Sequence, residues 1–202
     1  MSFDTLANDT SLQTTIAALK ANGIESQTVN TGAEAKEWIL KTIPEQAEVM
    51  TMSSVTLETI GVVEAINESG KYDSVKKKLM SMDRNTQTGE MQKLGAAPEW
   101  SIGSVHAITE DGKVLIASNT GSQLPGYAYG SQHVIWVVGT QKIVPHLDQA
   151  MKRLEEYIFP LEDEHMQQLY KMGSSINKLL IFNKEGTPGR ITVLFVKEKL
   201  GF

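Results

Sequence analysis

The chain has 202 residues, 41% of them hydrophobic, no cysteine and a formal net charge of −5. That length and apolar content suit one large domain with a real core and exclude the disordered class. Without cysteine there are no disulfides, thiolate zinc sites, cysteine-ligated iron–sulfur clusters or cysteine nucleophile in this chain. A pI near 5.4 argues against general affinity for nucleic acid, which needs a basic field. Lys76, Lys77, Lys78 and Arg84, the nearest thing to a basic cluster, read as a solvated helix face.

In chain order, Asp9 or Thr10 is expected to cap a first helix with Leu12, Ile16 and Leu19 on one face and Asn22-Gly23 as its stop. A strand follows over about 24–29. Thr31-Gly32-Ala33-Glu34 then has capping-box spacing for a helix carrying Ala35, Ile39 and Ile43 and ending before Pro44. "AEVMTM" reads as a buried strand, followed by Ser53-Ser54 and a short helix, "VTLETI". Short apolar strands between helices predict a mostly parallel α/β sheet with helices on both faces, whose ligands sit beyond the carboxyl ends of the strands. Ser53 and Ser54 lie at such an end. Their hydroxyls and the next helix N-terminus suit an anion, and a simple helix cap at Ser54 is the alternative.

Residues 62–97 are more polar, with one helix marked by Val75, Leu79 and Met82 and another over "QTGEMQKLGAA". Beyond them "SIGSVHAI" reads as a strand, Asp111-Gly112 as a hairpin turn, and "KVLIAS" as the next strand. "HVIWVVG" has the unbroken apolarity of a central strand. "IVPHLDQAMKRLEEYI" reads as a helix with Pro145 in its first turn and Leu147, Met151, Leu154 and Ile158 on its buried face. "KLLIFN" and "ITVLFV" are two final strands around a turn-rich "KEGTPGR". No repeat or linker interrupts the chain, so residues 1–202 are expected to form a single domain.

The segment Thr120-Gly121-Ser122-Gln123 follows "KVLIAS" and combines small residues with hydroxyls. Loop amides of this kind form concave anion sites, and a plain structural turn is the competing reading. The segment is neither a Walker loop nor a G-x-G-x-x-G fingerprint. The longer stretch "AITEDGKVLIASNTGSQLPGYAYGSQHVIWVVGTQKIVPHLDQAMKRL" resembles the LUD (lactate-utilisation) domain family. The turn Thr109 to Gly112, the loop Thr120-Gly121-Ser122, Gly130 before the apolar strand, and "VGTQKIV" leading to Lys152-Arg153 carry the resemblance. "TLETIGV" and the last two strands add to it, from about residue 47 onward. The resemblance implies a Rossmann-like three-layer sandwich of the NagB/RpiA/CoA-transferase-like type, with a ligand cleft at strand ends and the Thr120–Gln123 loop holding phosphate or carboxylate. Many family members carry Asn-Arg where Ser122-Gln123 stand here, which removes a fixed positive charge.

Glu110 is the candidate general acid, base or nucleophile, against an exposed turn carboxylate. "GSSINK" brings Ser174, Ser175 and Lys178 together as donors for an anion, against a helix start. Lys142 reads as a surface lysine with anion binding as its alternative, and Trp136 as core. His106, His133, His146 and His165 lack close metal-ligand spacing, so no metal is expected, and no resident cofactor. No signal-peptide pattern and no apolar run of membrane-spanning length occurs, so a cytoplasmic location without membrane association is the expectation.

The resemblance implies binding of a small anionic metabolite in lactate or related organic-acid utilisation. The partners expected with it are that metabolite, a redox protein and further copies of the chain, and no nucleic acid. A stand-alone isomerase or cyclo-ligase-like enzyme and a non-catalytic structural or regulatory subunit of a redox complex are the alternatives.

Overall fold

A computed structural model describes residues 3–202. The first helix, α1 (Asp9–Ala21), is capped one residue earlier than the pattern predicts, because the Asn8 side chain accepts from the Ser11 amide at 2.9 Å. β1 (Glu25–Val29) follows, and Thr31 then caps α2 (Gly32–Thr42) through its hydroxyl. β2 (Glu48–Thr51) leads into the short helices α3 (Val55–Thr59) and α4 (Val62–Asn67). β3 (Asp73–Ser74), α5 (Val75–Ser81) and α6 (Thr88–Ala96) make up the polar middle region.

The predicted strand "SIGSVHAI" is two strands, β4 (Trp100–Gly103) and β5 (Ala107–Thr109), which belong to different sheets. β6 (Val114–Ser118), β7 (His133–Gly139) and β8 (Ile143–Val144) come next. The predicted helix from Ile143 starts later, at α7 (Leu147–Lys152), since Ile143 and Val144 pair with β5 and the residue before Pro145 prefers extended backbone. A π-helical turn (153–158) joins α7 to α8 (Phe159–Tyr170), and β9 (Lys178–Phe182) and β10 (Ile191–Val196) close the order.

Six strands form a parallel sheet in the order β1-β10-β7-β4-β2-β3. The central strands are buried on both faces, so their side chains alternate between two cores. From β7, Val134, Trp136 and Val138 enter one core, and Ile135 and Val137 the other. Ala35 and Ile39 of α2, Leu57 of α3 and Val62 and Ile66 of α4 fill the second core. The first core is closed by Leu12 and Leu19 of α1 and by a smaller sheet, β8-β5-β6-β9. That sheet carries Leu154 and Ile158 of the α7–α8 run on its outer side. The result is a Rossmann-like α/β sandwich, with helices over both faces of its parallel sheet and a small sheet beneath α1. The final strands "KLLIFN" and "ITVLFV" fall in different sheets, β9 pairing with β6 and β10 with β7.

Candidate functional site

From β2 the chain runs outward to β3, then returns to β4 and continues through β7 to β10. The order therefore reverses between β2 and β4, and the crevice beyond the carboxyl ends of these strands is where open α/β sheets place their ligands. Ser53 and Ser54 follow β2, Ser104 follows β4, and Lys142 stands three residues after β7.

Lys142 is 4% exposed, which corrects the surface reading of this residue. Its Nζ donates to Thr56 Oγ1 at 3.1 Å and to Ser104 Oγ at 3.0 Å. The Ser104 hydroxyl in turn donates to the Val137 carbonyl at 2.7 Å, and Thr56 Oγ1 to the Leu200 carbonyl at 3.2 Å. No carboxylate pairs with Lys142 among the described residues. Burial, and then the positive charge of Arg153, bring its pKa down to about 7.

Arg153 is fully buried. It donates to the His106 carbonyl at 2.7 Å and the Phe3 carbonyl at 3.4 Å, and its guanidinium carbon lies 5.3 Å from the Tyr157 ring centroid. Its Nε has no partner among the described residues. His106 Nδ1 accepts from the Ala117 amide at 3.1 Å. Burial, with Lys142 and Arg153 both adding to the effect, holds the ring neutral and moves its pKa to about 3.

A second amine reaches the β2–α3 turn, three residues before Thr56. Lys76, on α5, donates to Ser53 Oγ at 3.3 Å, and burial lowers its pKa while Glu58 opposes that shift. Glu162 of α8 is held above the usual carboxylate range, first by burial, with His165 opposing and Glu58 adding to it. The ring of Phe202 lies 6.0 Å from that of His165. Ser54 occupies the cap position of α3 in extended backbone, but its side chain makes no cap bond.

The other predicted residues lie in separate groups. Thr120, Gly121, Ser122, Gln123 and Lys178 form one cluster where β6 ends beside β9. There the Gly121 amide donates to Ser118 Oγ at 2.9 Å and the Ser122 amide to Thr120 Oγ1 at 3.3 Å. Gln123 Nε2 donates to the Ala117 carbonyl, and the Lys178 stem fills the space beside Gly121, whose φ of +86° favours glycine. Glu110 Oε1 accepts from Ser11 Oγ at 2.5 Å, at the first turn of α1. The Ser174 amide donates to Asp163 Oδ1 at 2.7 Å, and Ser175 is exposed; residues 172–177 are non-helical, which removes the helix-start reading. His133 stacks on Trp100, with ring centroids 4.2 Å apart.

Two open grooves flank α3. One, of about 450 Å³, passes the start of α2, where Glu198 already accepts from the Gly32 amide at 2.9 Å. The other, of about 290 Å³, is lined by Glu58, Glu64 and Glu68 and suits no anion. Sequence reasoning passed over Ser104, Thr56, His106 and Arg153. The one available signal was position, since "SIGS" and "VGTQK" both put a polar side chain just past an apolar strand.

The LUD domain family model matches residues 12–196, almost the whole chain. The chain belongs to the LUD domain family. The fold is similar to that of a crystallised DUF162 family protein from Deinococcus radiodurans. The TM-score is 0.58 at 12% identity, covering 95% of this chain and 99% of that one. No curated protein matches the chain. This LUD domain holds no group of His, Asp or Glu able to bind a metal among its described residues, and no helix long and apolar enough to cross a membrane.

Proposed function

We propose that this LUD-domain protein binds a small anionic metabolite of lactate or related organic-acid utilisation at the crevice beyond β2, β4 and β7. The observation that carries the reading is the buried amine of Lys142, set beside buried Arg153 and hydroxyls of Ser104 and Thr56, with no carboxylate bonded to it among the described residues. A buried amine beside a buried guanidinium, with no acid bonded to the amine among the described residues, favours an anion as ligand. Ser53 and Lys76 form its outer edge. The Thr120–Gln123 loop is a weaker seat, because the Gly121 and Ser122 amides already bond within it.

Titration calorimetry with lactate and pyruvate tests the proposal. Lys142→Met is expected to weaken binding by about ten- to a hundredfold, the loss of one hydrogen bond to the ligand's anionic oxygen, and Thr120→Val to leave it unchanged. Binding lost in Thr120→Val and retained in Lys142→Met moves the ligand to the loop and ends this assignment.

A further inference from the structure

Lys142 has the hydrogen-bond surroundings of a neutral amine. Its two acceptors, Thr56 Oγ1 and Ser104 Oγ, have each committed their own proton to a backbone carbonyl, so each offers Lys142 only a lone pair. An ammonium brings three N–H groups to these two acceptors and leaves one buried proton unpartnered among the described residues. A neutral amine brings two, satisfies both, and keeps its lone pair free. The positive charge of Arg153 nearby disfavours a second cation and attracts a substrate carboxylate. A desolvated lysine beside another cation is the setting in which an amine becomes a nucleophile toward carbonyl carbon.

Resting on the binding reading above, we propose that Lys142 forms a reversible Schiff base with a small α-keto acid. The Nζ lone pair adds to the keto carbon, the C–O π pair moves to oxygen, and a proton passes from nitrogen to that oxygen to give a carbinolamine. Loss of water then forms the C=N bond, so that amine and ketone become imine and water with no change of oxidation state. Thr56 and Ser104 are positioning residues, since they hold Nζ at the strand ends and fix the direction of its lone pair. Leu200 and Gly201 lie against the same Thr56 hydroxyl, and Gln141 Nε2 also donates to the Leu200 carbonyl at 2.9 Å.

The test is reductive trapping. The protein is incubated with pyruvate and cyanoborohydride, whose hydride adds to the imine carbon to leave a stable secondary amine, and is then digested and mapped by mass spectrometry. The expected result is one reduced pyruvate adduct on Lys142, at least about tenfold above labelling at any other lysine. Lys142→Arg keeps a long donor side chain but removes the nucleophilic amine, and is expected to leave only that background. The wild-type map locates the adduct whether or not that variant folds. A label spread evenly over exposed lysines, or an unmodified Lys142 in protein that binds pyruvate by calorimetry, overturns the Schiff base and leaves the binding proposal standing. Absence of both binding and label overturns the two together.

Discussion

Replacing Lys142 by methionine is expected to stabilise the protein at neutral pH and destabilise it at high pH. The folded chain holds this amine at about 7 and the unfolded chain returns it to the ordinary 10.5. Between those values the unfolded state binds a proton that the folded state lacks, so stability falls as pH drops from 10.5 towards 7 and is level below that window. At about 1.4 kcal/mol per pH unit, the full span costs the folded state on the order of 5 kcal/mol. Methionine of similar length removes that cost, but leaves Thr56 Oγ1 and Ser104 Oγ without a donor, a loss of about 1 kcal/mol each. The variant is therefore about 3 kcal/mol more stable than wild type at pH 7 and about 2 kcal/mol less stable near pH 10.5. Urea denaturation of both proteins at half-unit pH steps measures the difference and cancels the titrating groups that Lys142 does not perturb. A stability gap that stays constant from pH 7 to 10 would refute the buried neutral amine. A residue that costs stability where it stands is what a functional site retains.

Arg190 is 8% exposed and donates to Glu185 at 2.5 Å, to the Ser131 carbonyl at 3.1 Å and to the Tyr127 carbonyl at 2.8 Å. Arg190→Met is expected to cost about 3–5 kcal/mol by chemical denaturation, and Arg190→Met/Glu185→Gln less than the two singles together. A methyl group at Gly130 would meet the Ala96 carbonyl, whereas one at Gly89 meets nothing within 4 Å. Gly130→Ala is therefore expected to lower stability by about 1–3 kcal/mol, and Gly89→Ala to raise it by about 0.5 kcal/mol in thermal melts. Equal melts for these two variants would contradict the close packing of the π-helical turn (126–130) on α6.

The parallel sheet was legible because its central strands carry an unbroken apolar signature. "HVIWVVG" is buried on both sides, and two-sided burial leaves no room for polar alternation. Helix boundaries were legible where side chains cap locally, as Thr31 does for α2. The position of Ser53 just past β2 was legible from the same strand pattern.

The membership of each strand in one of two sheets was decided by tertiary structure alone. β4 and β5 are separated by three residues yet pair with different partners, and no local pattern encodes a partner that lies far along the chain. Burial of Lys142 was decided in the same way. Its neighbours in sequence announce a strand end. Its environment is made by Thr56, Ser104 and Arg153, brought from three other elements, with Leu200 behind Thr56. Amino-acid order sets the period of each element and the chemistry available at its ends. The proton affinity of a single amine depends on the dielectric and charges around it, and those exist only once distant segments have packed.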